Sequence, residues 1–265
     1  MTIAGLDPSG GAGIIADIKT FAAFGCFPTA VAASLTFQNT QGVYGTLDQV
    51  AGSIRGQAEP VFRDFTVDAV KTGMLPNREV IEETVELFRE FGSSNIVVDP
   101  VVRSTSGYDL IDSAALRALT ETLFPLADLI TPNIPEAERI SGVSIEGRDD
   151  IIDAAEIMRQ MGAANVLIKG GHLVEKDRGN AEMARDFLFL GEKLIVLEGE
   201  FHQTSATHGT GCSLAAAIAA NLALGNALEE SVRIAKDFVN EAIRTAPLIG
   251  KGNSPINIQP ISRSE

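Results

Sequence analysis

TIAGLDPSGGAGIIADIKTFAAF (Thr2–Phe24) carries three signals in succession: a short apolar run, a loop dense in glycine, and a segment with helical spacing. Thr2–Ala4 reads as a strand and Gly5–Gly13 as a flexible loop. Gly13–Phe24 reads as a helix with Ile14, Ile18, Phe21 and Ala22 on its apolar face. A strand that turns through glycines into a helix is the building unit of an α/β protein.

The alternation continues along the chain. Strand-like runs occupy Ala30–Phe37, Ala69–Thr72, Asn95–Val98, Leu129–Thr131 and Asn165–Lys169. Helix-like segments occupy Asn77–Phe91, where Asn77 stands at a capping position, then Ser113–Leu123 and Asp149–Met161. Most strand runs are apolar at both parities, as in a parallel sheet covered by helices on both faces. Ala184–Leu190 and Lys193–Leu197, joined by Gly191 and Glu192, read as a β-hairpin, and helices at Cys212–Leu224 and Ala227–Ala246 follow. No linker, repeat or low-complexity stretch interrupts the pattern. The expectation is one doubly wound domain over residues 1–265, with a loosely held polar tail at Lys251–Glu265.

Composition narrows the partners. The 265 residues are 45% hydrophobic and 21% charged, with a net charge of -14, which argues against nucleic acid or an anionic membrane surface. A local glycine-rich site can still hold a small anion against that mean field. Cys26 and Cys212 are too few and too far apart for a disulfide framework. With no signal-peptide pattern and no apolar run of membrane-spanning length, a cytoplasmic enzyme is expected.

Ligands of open α/β sheets bind beyond the carboxyl ends of the strands, so the residues following each strand are the candidates. GAGIIA (Gly11–Ala16) matches a dinucleotide fingerprint, but that reading wants an acid after the second strand, and Gln38 and Asn39 stand there instead. VVDPVV (Val97–Val102) sets Asp99 at a strand end, where alone it reads as a solvated turn acid. LITPNIPEAE (Leu129–Glu138) gathers Thr131, Asn133 and Glu136, although Pro135 and Glu136 equally suit a first helical turn. LIKGGH (Leu167–His172) ends a strand with Lys169. Two acids and a lysine at separate strand ends suit Mg²⁺ and phosphate oxygens, because Mg²⁺ takes few protein carboxylates. The histidines lack metal-ligand spacing: His208 reads as a turn residue or one that supports the site from behind, rather than a base, and His172 and His202 as surface or structural.

HGTGC (His208–Cys212) opens the alanine-rich helix. Successive N–H groups of a glycine-rich turn at a helix N-terminus form an anion site. A thiol there is expected to have its thiolate favoured, which suits a general base for an alcohol.

AGLDPSGGAGIIADIKTF, FQNTQGV, KTGML, VVDPVV, LITPNIPEAE, IKGGH and THGTGCSLAAAIAA, in that order, resemble the hydroxymethylpyrimidine/phosphomethylpyrimidine kinases of thiamine biosynthesis, in the ribokinase-like superfamily. The resemblance spans Thr2 to Leu224. It implies a mostly parallel sheet with helices on both faces, a homodimer, and the use of ATP and Mg²⁺. It assigns Cys212 as catalytic base and Gly209, Thr210 and Gly211 as the anion hole. Asp99 and Glu136 take the metal positions, with Thr131, Asn133 and Lys169 toward the nucleotide. Gly5, Ala12, Gln38, Met74 and Val101 form the pyrimidine pocket. An amide at Gln38 can donate to a ring nitrogen while accepting from the neighbouring amine. Two positions depart from the family pattern: Thr105 replaces a common lysine, and GKGNSPIN (Gly250–Asn257) replaces a glycine-histidine-glycine-proline segment. The rival readings are a pyridoxal kinase and a vitamin-binding regulator without catalysis. The retained Asp99, Glu136, Lys169 and Cys212 count against the regulator.

Overall fold

The computed structural model describes residues 1–102, 110–170 and 183–259. The chain opens with β1 (Thr2–Leu6), α1 (Gly13–Ala23), β2 (Ala30–Asn39), β3 (Gly42–Asp48) and α2 (Ala51–Asp64). It continues through β4 (Val70–Thr72), α3 (Arg78–Glu90), β5 (Ile96–Val98), α4 (Ser113–Ala118), β6 (Leu129–Ile130), α5 (Ile134–Ser141) and α6 (Arg148–Gln160). The last elements are β7 (Asn165–Lys169), β8 (Met183–Leu190), β9 (Lys193–Glu200), α7 (Thr210–Ala223) and α8 (Leu228–Arg244).

Among the described residues the strands form one sheet in the order β3-β2-β1-β4-β5-β6-β7-β8-β9. From β2 to β7 every pairing is parallel, while β3, β8 and β9 pair antiparallel at the edges. The direction of winding reverses between β1 and β4, the switch point at which such sheets open a crevice.

Each face of the sheet has its own core, because successive strand side chains point to opposite sides. Ile96, Val98, Ile130, Val166 and Ile168 pack with buried side chains of α2 to α6. Their neighbours Val97, Leu129 and Leu167 join Phe21 and Phe24 with the alanines of α7 and Val232 of α8. Alanine at 215, 216, 217, 219 and 220 lets α7 lie close to the strands. Asn77 caps α3 as expected, its side-chain oxygen accepting from the Val80 amide at 3.0 Å.

The structure differs from expectation in four places. The pattern did not show β3 or α2: β3 is an edge strand with exposed Tyr44 and Leu47, and α2 contains Gly52, Gly56 and Pro60 and buries only Ile54 and Ala58. The inner face of α1 is rotated, with Asp17 and Thr20 buried beside Ile14 and Phe21 while Ala22 is exposed. The segment Ser113–Leu123 begins as α-helix but changes at Leu119 to a wider π turn. The tail is anchored through residue 257. The Asn253 amide donates to the Thr40 carbonyl at 2.7 Å, Asn257 donates to Ala242 at 2.9 Å, and Ser254 is buried.

A charged pair ties α1 to the sheet. Lys71, in the middle of β4, is wholly buried and donates to both Asp17 oxygens at 2.8 and 2.9 Å. Thr2 adds its hydroxyl to Asp17 at 2.6 Å. Removing one member of such a pair strands the other charge. Lys71→Met is therefore expected to cost about 3–5 kcal/mol in urea unfolding. The Asp17→Asn, Lys71→Met double variant should recover most of it, and an unchanged midpoint in the single variant would show that the pair does not hold the fold.

Candidate active site

The cavity at the carboxyl edge of the sheet has a volume of ≈ 650 Å³. It begins at the switch point, where Gly5 of β1 and Asp7 and Ala12 beyond it face Gly73 and Met74 after β4. On the β2 side Gln38 and Val43 close it, and on the β7 side lie Asn133, Glu136 and Lys169. Asp99 and Val101 follow β5 on its floor, and the turn Thr207–Cys212 crosses above the sheet edge.

This turn is built by close approach. Gly209 has φ 83, and a Cβ there would collide with the Gly11 carbonyl, so only glycine lets the turn cross the loop after β1. Thr210, Gly211 and Cys212 form the first turn of α7; the Thr210 amide donates to the Thr207 carbonyl at 3.4 Å, and those of Gly211 and Cys212 are first-turn donors. A Cβ on Gly211 would stand 3.0 Å from Lys169 Nζ, which places the turn directly against the lysine.

The acids are held in different ways. Asp99 Oδ1 accepts Lys169 Nζ at 2.9 Å and the Thr131 hydroxyl at 3.1 Å. Glu136 is the third residue of α5 and completes a reciprocal cap: its Oε2 accepts the Asn133 amide at 2.8 Å while Asn133 Oδ1 accepts the Glu136 amide at 2.9 Å. Lys169 lies 4.0 Å from the same Oε2. Burial, helped by the Asp99 charge, raises the Glu136 carboxyl to about 7 against the pull of Lys169. Burial works against the Lys169 ammonium too, yet Asp99 and Glu136 hold its titration above the usual lysine range. Among the described residues no three His, Cys, Asp or Glu side chains cluster as metal ligands. Two buried carboxylates offering hard oxygens suit a Mg²⁺ that keeps water and phosphate as its other ligands.

Cys212 departs from expectation. Burial raises its thiol to about 11, outweighing the charge of Lys71 and the hydrogen bond from Gly13, while Asp99 and Asp17 push the same way as burial. Burial is the first cause of the shift, and the acidic floor adds to it.

Of the residues singled out in the sequence, Thr131 does not line the cavity. It is fully buried behind the wall, where its hydroxyl steadies Asp99. His202, expected at the surface or in a structural place, lines the cavity 3.9 Å from Glu200. Thr105 and His172 lie outside the described residues. The sequence reading missed Asp7, Lys71 and the pair Lys236–Asp186 (2.5 Å), whose other Asp186 oxygen accepts the Gly170 amide at 3.0 Å. The signal was present for Lys71, since a lysine inside an otherwise apolar strand requires a partner.

The architecture is that of the ribokinase-like kinases. The ADP complex of Bacillus subtilis pyridoxal kinase superposes with a TM-score of 0.86 at 36% identity, covering 97% of this chain and 95% of that one. The chain belongs to the phosphomethylpyrimidine kinase family, which it matches over residues 7–257. It is 40% identical over 257 residues to a Bacillus subtilis hydroxymethylpyrimidine/phosphomethylpyrimidine kinase, covering 97% of this chain and 93% of that one. At 42% identity it also resembles a Geobacter sulfurreducens thiamine biosynthesis bifunctional protein, of whose length it spans 51%.

A thiol that titrates near 11 should be slow to alkylate at neutral pH. Its rate with iodoacetamide is expected to climb about tenfold per pH unit from neutrality to about pH 10, since only the thiolate reacts. Peptide mapping separates Cys212 from Cys26. A rate already level at pH 7 would mean that the helix end, and not burial, governs the thiol.

Proposed function

We propose that the protein phosphorylates 4-amino-5-hydroxymethyl-2-methylpyrimidine and then its monophosphate, with ATP as donor, in thiamine biosynthesis. The observation that carries the reading is the continuity of one cavity from Gln38 on the β2 side to Lys169 on the β7 side, past Cys212, in a chain of this family. Gly5, Ala12, Gln38, Met74 and Val101 enclose the pyrimidine, and Met74 supplies a soft wall for the ring. Lys169 and Asn133 face the donor phosphates, with Thr131 acting through Asp99. Cys212, once its own proton has passed to solvent, takes the hydroxymethyl proton as the thiolate, while the oxygen bonds the γ-phosphorus and the bond to the ADP oxygen breaks. The first-turn N–H groups of Gly211 and Cys212, with Gly209 and Thr210 shaping the turn, stabilise the transferring oxygens. Asp99 and Glu136 would hold Mg²⁺, which when bound would neutralise charge on the phosphates. For the second step the same turn accepts the substrate's own phosphate.

The chain acts as a single cytoplasmic domain in this reading, and as a homodimer. The dimer is supported by the apolar side chains of Phe37, Tyr44, Leu47 and Val50, which stay exposed along the β2–β3 edge. No helix among the described residues is long and apolar enough to cross a membrane. A side activity on pyridoxal is a second reading, favoured by the superposition on the pyridoxal kinase.

Incubation with Mg-ATP and either hydroxymethylpyrimidine, its monophosphate or pyridoxal tests both, read by ADP release and product mass. Turnover of both pyrimidines is expected to exceed that of pyridoxal. In the same assay Cys212→Ala should lower kcat by ~10²–10⁴-fold, the usual worth of a positioned base. Near-normal turnover in that variant removes Cys212 from the role.

Glu136 supplies a pH-dependent check. Its carboxyl titrates near 7, so it is mostly ionised on the alkaline side and mostly protonated on the acid side. The Mg²⁺ concentration for half-maximal rate is expected to rise about tenfold between about pH 8 and pH 6, because a cation binds the carboxylate and not the acid. Glu136→Gln should need more Mg²⁺ throughout and lose most of the pH dependence. An unchanged titration would leave Glu136 as a helix cap alone.

A further inference from the structure

Residues 249–257, beyond α8, form a strap that is tied down at three places. At its far point it meets the turn between β2 and β3. There the Asn253 amide donates to the Thr40 carbonyl at 2.7 Å, and the Lys251 and Gly252 amides donate to the Thr40 hydroxyl at 3.2 and 3.3 Å. In its middle the Ser254 amide donates to the Ser205 carbonyl at 3.0 Å, and the Ser254 carbonyl accepts the His208 amide at 3.2 Å. At its end the Asn257 amide donates to the Ala242 carbonyl of α8 at 2.9 Å. Ser254 is buried, and its hydroxyl closes the strap on itself by accepting the Ile249 amide at 3.0 Å and donating to the Pro255 carbonyl at 3.2 Å. Two glycines permit the far contact: a Cβ on Gly252 would collide with the Thr40 carbonyl, and one on Gly250, at φ 84, with the Thr40 side chain.

The two ends of this strap belong to the two halves of the reaction. Thr40 lies between Gln38 and Val43, which line the cavity on its acceptor side. β3 is the last strand of the sheet and β2 its only strand partner, so the turn between them has no strand on its outer side. His208 directly precedes Gly209 and the turn to Cys212, and its Nε2 bonds Asp7 Oδ2 at 2.8 Å. The strap thus spans from the strand pair that carries Gln38 to the turn that carries Cys212. Its bonds run between backbone groups and the hydroxyls of Thr40 and Ser254, so it fixes a distance without bringing a charge to the ligand. Transfer needs that distance, because a misplacement of about 1 Å in a reacting pair can cost about 10²-fold in rate.

We propose that Thr40 is a positioning residue for phosphoryl transfer: its hydroxyl and carbonyl hold the strap, and the strap sets the acceptor pocket against the turn that carries Cys212. Thr40 touches neither substrate nor nucleotide in this role and acts through Ser254 and His208. The proposal rests on the pyrimidine-kinase reading for its acceptor, and on the hydrogen bonds of the strap alone for the coupling of the two ends.

The test compares Thr40→Val, which keeps the shape and removes the acceptor of two strap amides, with Thr40→Ser, which keeps the hydroxyl. In Thr40→Val kcat on hydroxymethylpyrimidine should fall roughly tenfold to hundredfold, as for a misplaced reacting pair, while KM for Mg-ATP stays unchanged because Lys169 and Asn133 take no part in the strap. Thr40→Ser should keep most of the wild-type kcat. Hydrogen exchange, measured on the protein without substrate, reads the coupling directly: the His208 amide should exchange faster in Thr40→Val than in wild type or Thr40→Ser, with the amides of α8 unchanged. Faster exchange confined to residues 251–253, or equal losses of kcat in the two variants, would show that Thr40 merely holds the tail. Should Thr40→Val fail to fold, exchange in the wild type decides. The Asn253 and His208 amides are expected to open as one unit with a shared protection, and unrelated protections overturn the proposal. Failure of wild type to turn over the pyrimidine would sink the functional reading instead, and exchange at His208 would still report on the strap.

Discussion

A lysine ammonium with no exposure to solvent is the constraint on which this site depends. Lys71 occupies a strand position that reads as core, and the charge survives there because Asp17 meets it with two short bonds. Burial works against the ammonium, but Asp17, Cys212 and Asp99 raise its titration above the ordinary lysine range. The pair therefore does two things at once. It sets the rotation of α1 on the sheet, since Asp17 must face β4, and it leaves a fixed positive charge under the floor of the cavity. Asp99 and Cys212 both feel that charge.

The cavity is divided in its chemistry as its strands are in the sheet. On one side of the switch point the contacts are directional: an amide, a thioether and backbone from the loop after β1, with the Asp7 carboxylate already bonded to His208 and that loop. On the other side they are ionic, with Lys169 between Asp99 and Glu136. The turn before α7 belongs to both, resting on Gly11 through Gly209 and against Lys169 through Gly211. A neutral ring and a charged donor are thus brought to one place without either half having to serve the other's ligand.

Much of this was legible in the sequence, and the reasons are physical. The parallel strands buried on both faces announce themselves as continuous apolar runs, and glycines punctuate each strand end where backbone must pass close. The GTGC turn and the strand-end acids could be named because their position in a βα unit dictates exposure at one sheet edge. The edge strand β3 was invisible because its side chains are largely exposed and follow no burial pattern, and α2 was hidden by two glycines and a proline. Ala22 was assigned inward because alanine and isoleucine fit the helical period, whereas the structure turns the polar Asp17 and Thr20 to that face. Periodicity cannot foresee an ion pair whose partner is 54 residues away. Thr131 was placed correctly at its strand end, but sequence spacing does not say which side of the wall a side chain occupies.

The acidity of the floor also accounts for a thiol rather than a carboxyl at position 212. Asp17, Asp99 and Glu136 already place three carboxyl groups around Lys71 and Lys169, and the first two push the Cys212 thiol upward. A further carboxylate here would be charged at rest and would repel its neighbours in a poorly solvated space. A thiol is neutral at rest and becomes anionic only when a proton acceptor or a nearby positive charge makes that favourable. Its resting neutrality lets a substrate that bears its own phosphate approach the same turn, because the charge it meets first is that of lysine and helix N–H groups. A site that must accept an alcohol in one step and a phosphate in the next is better served by a base whose charge is conditional than by one whose charge is permanent.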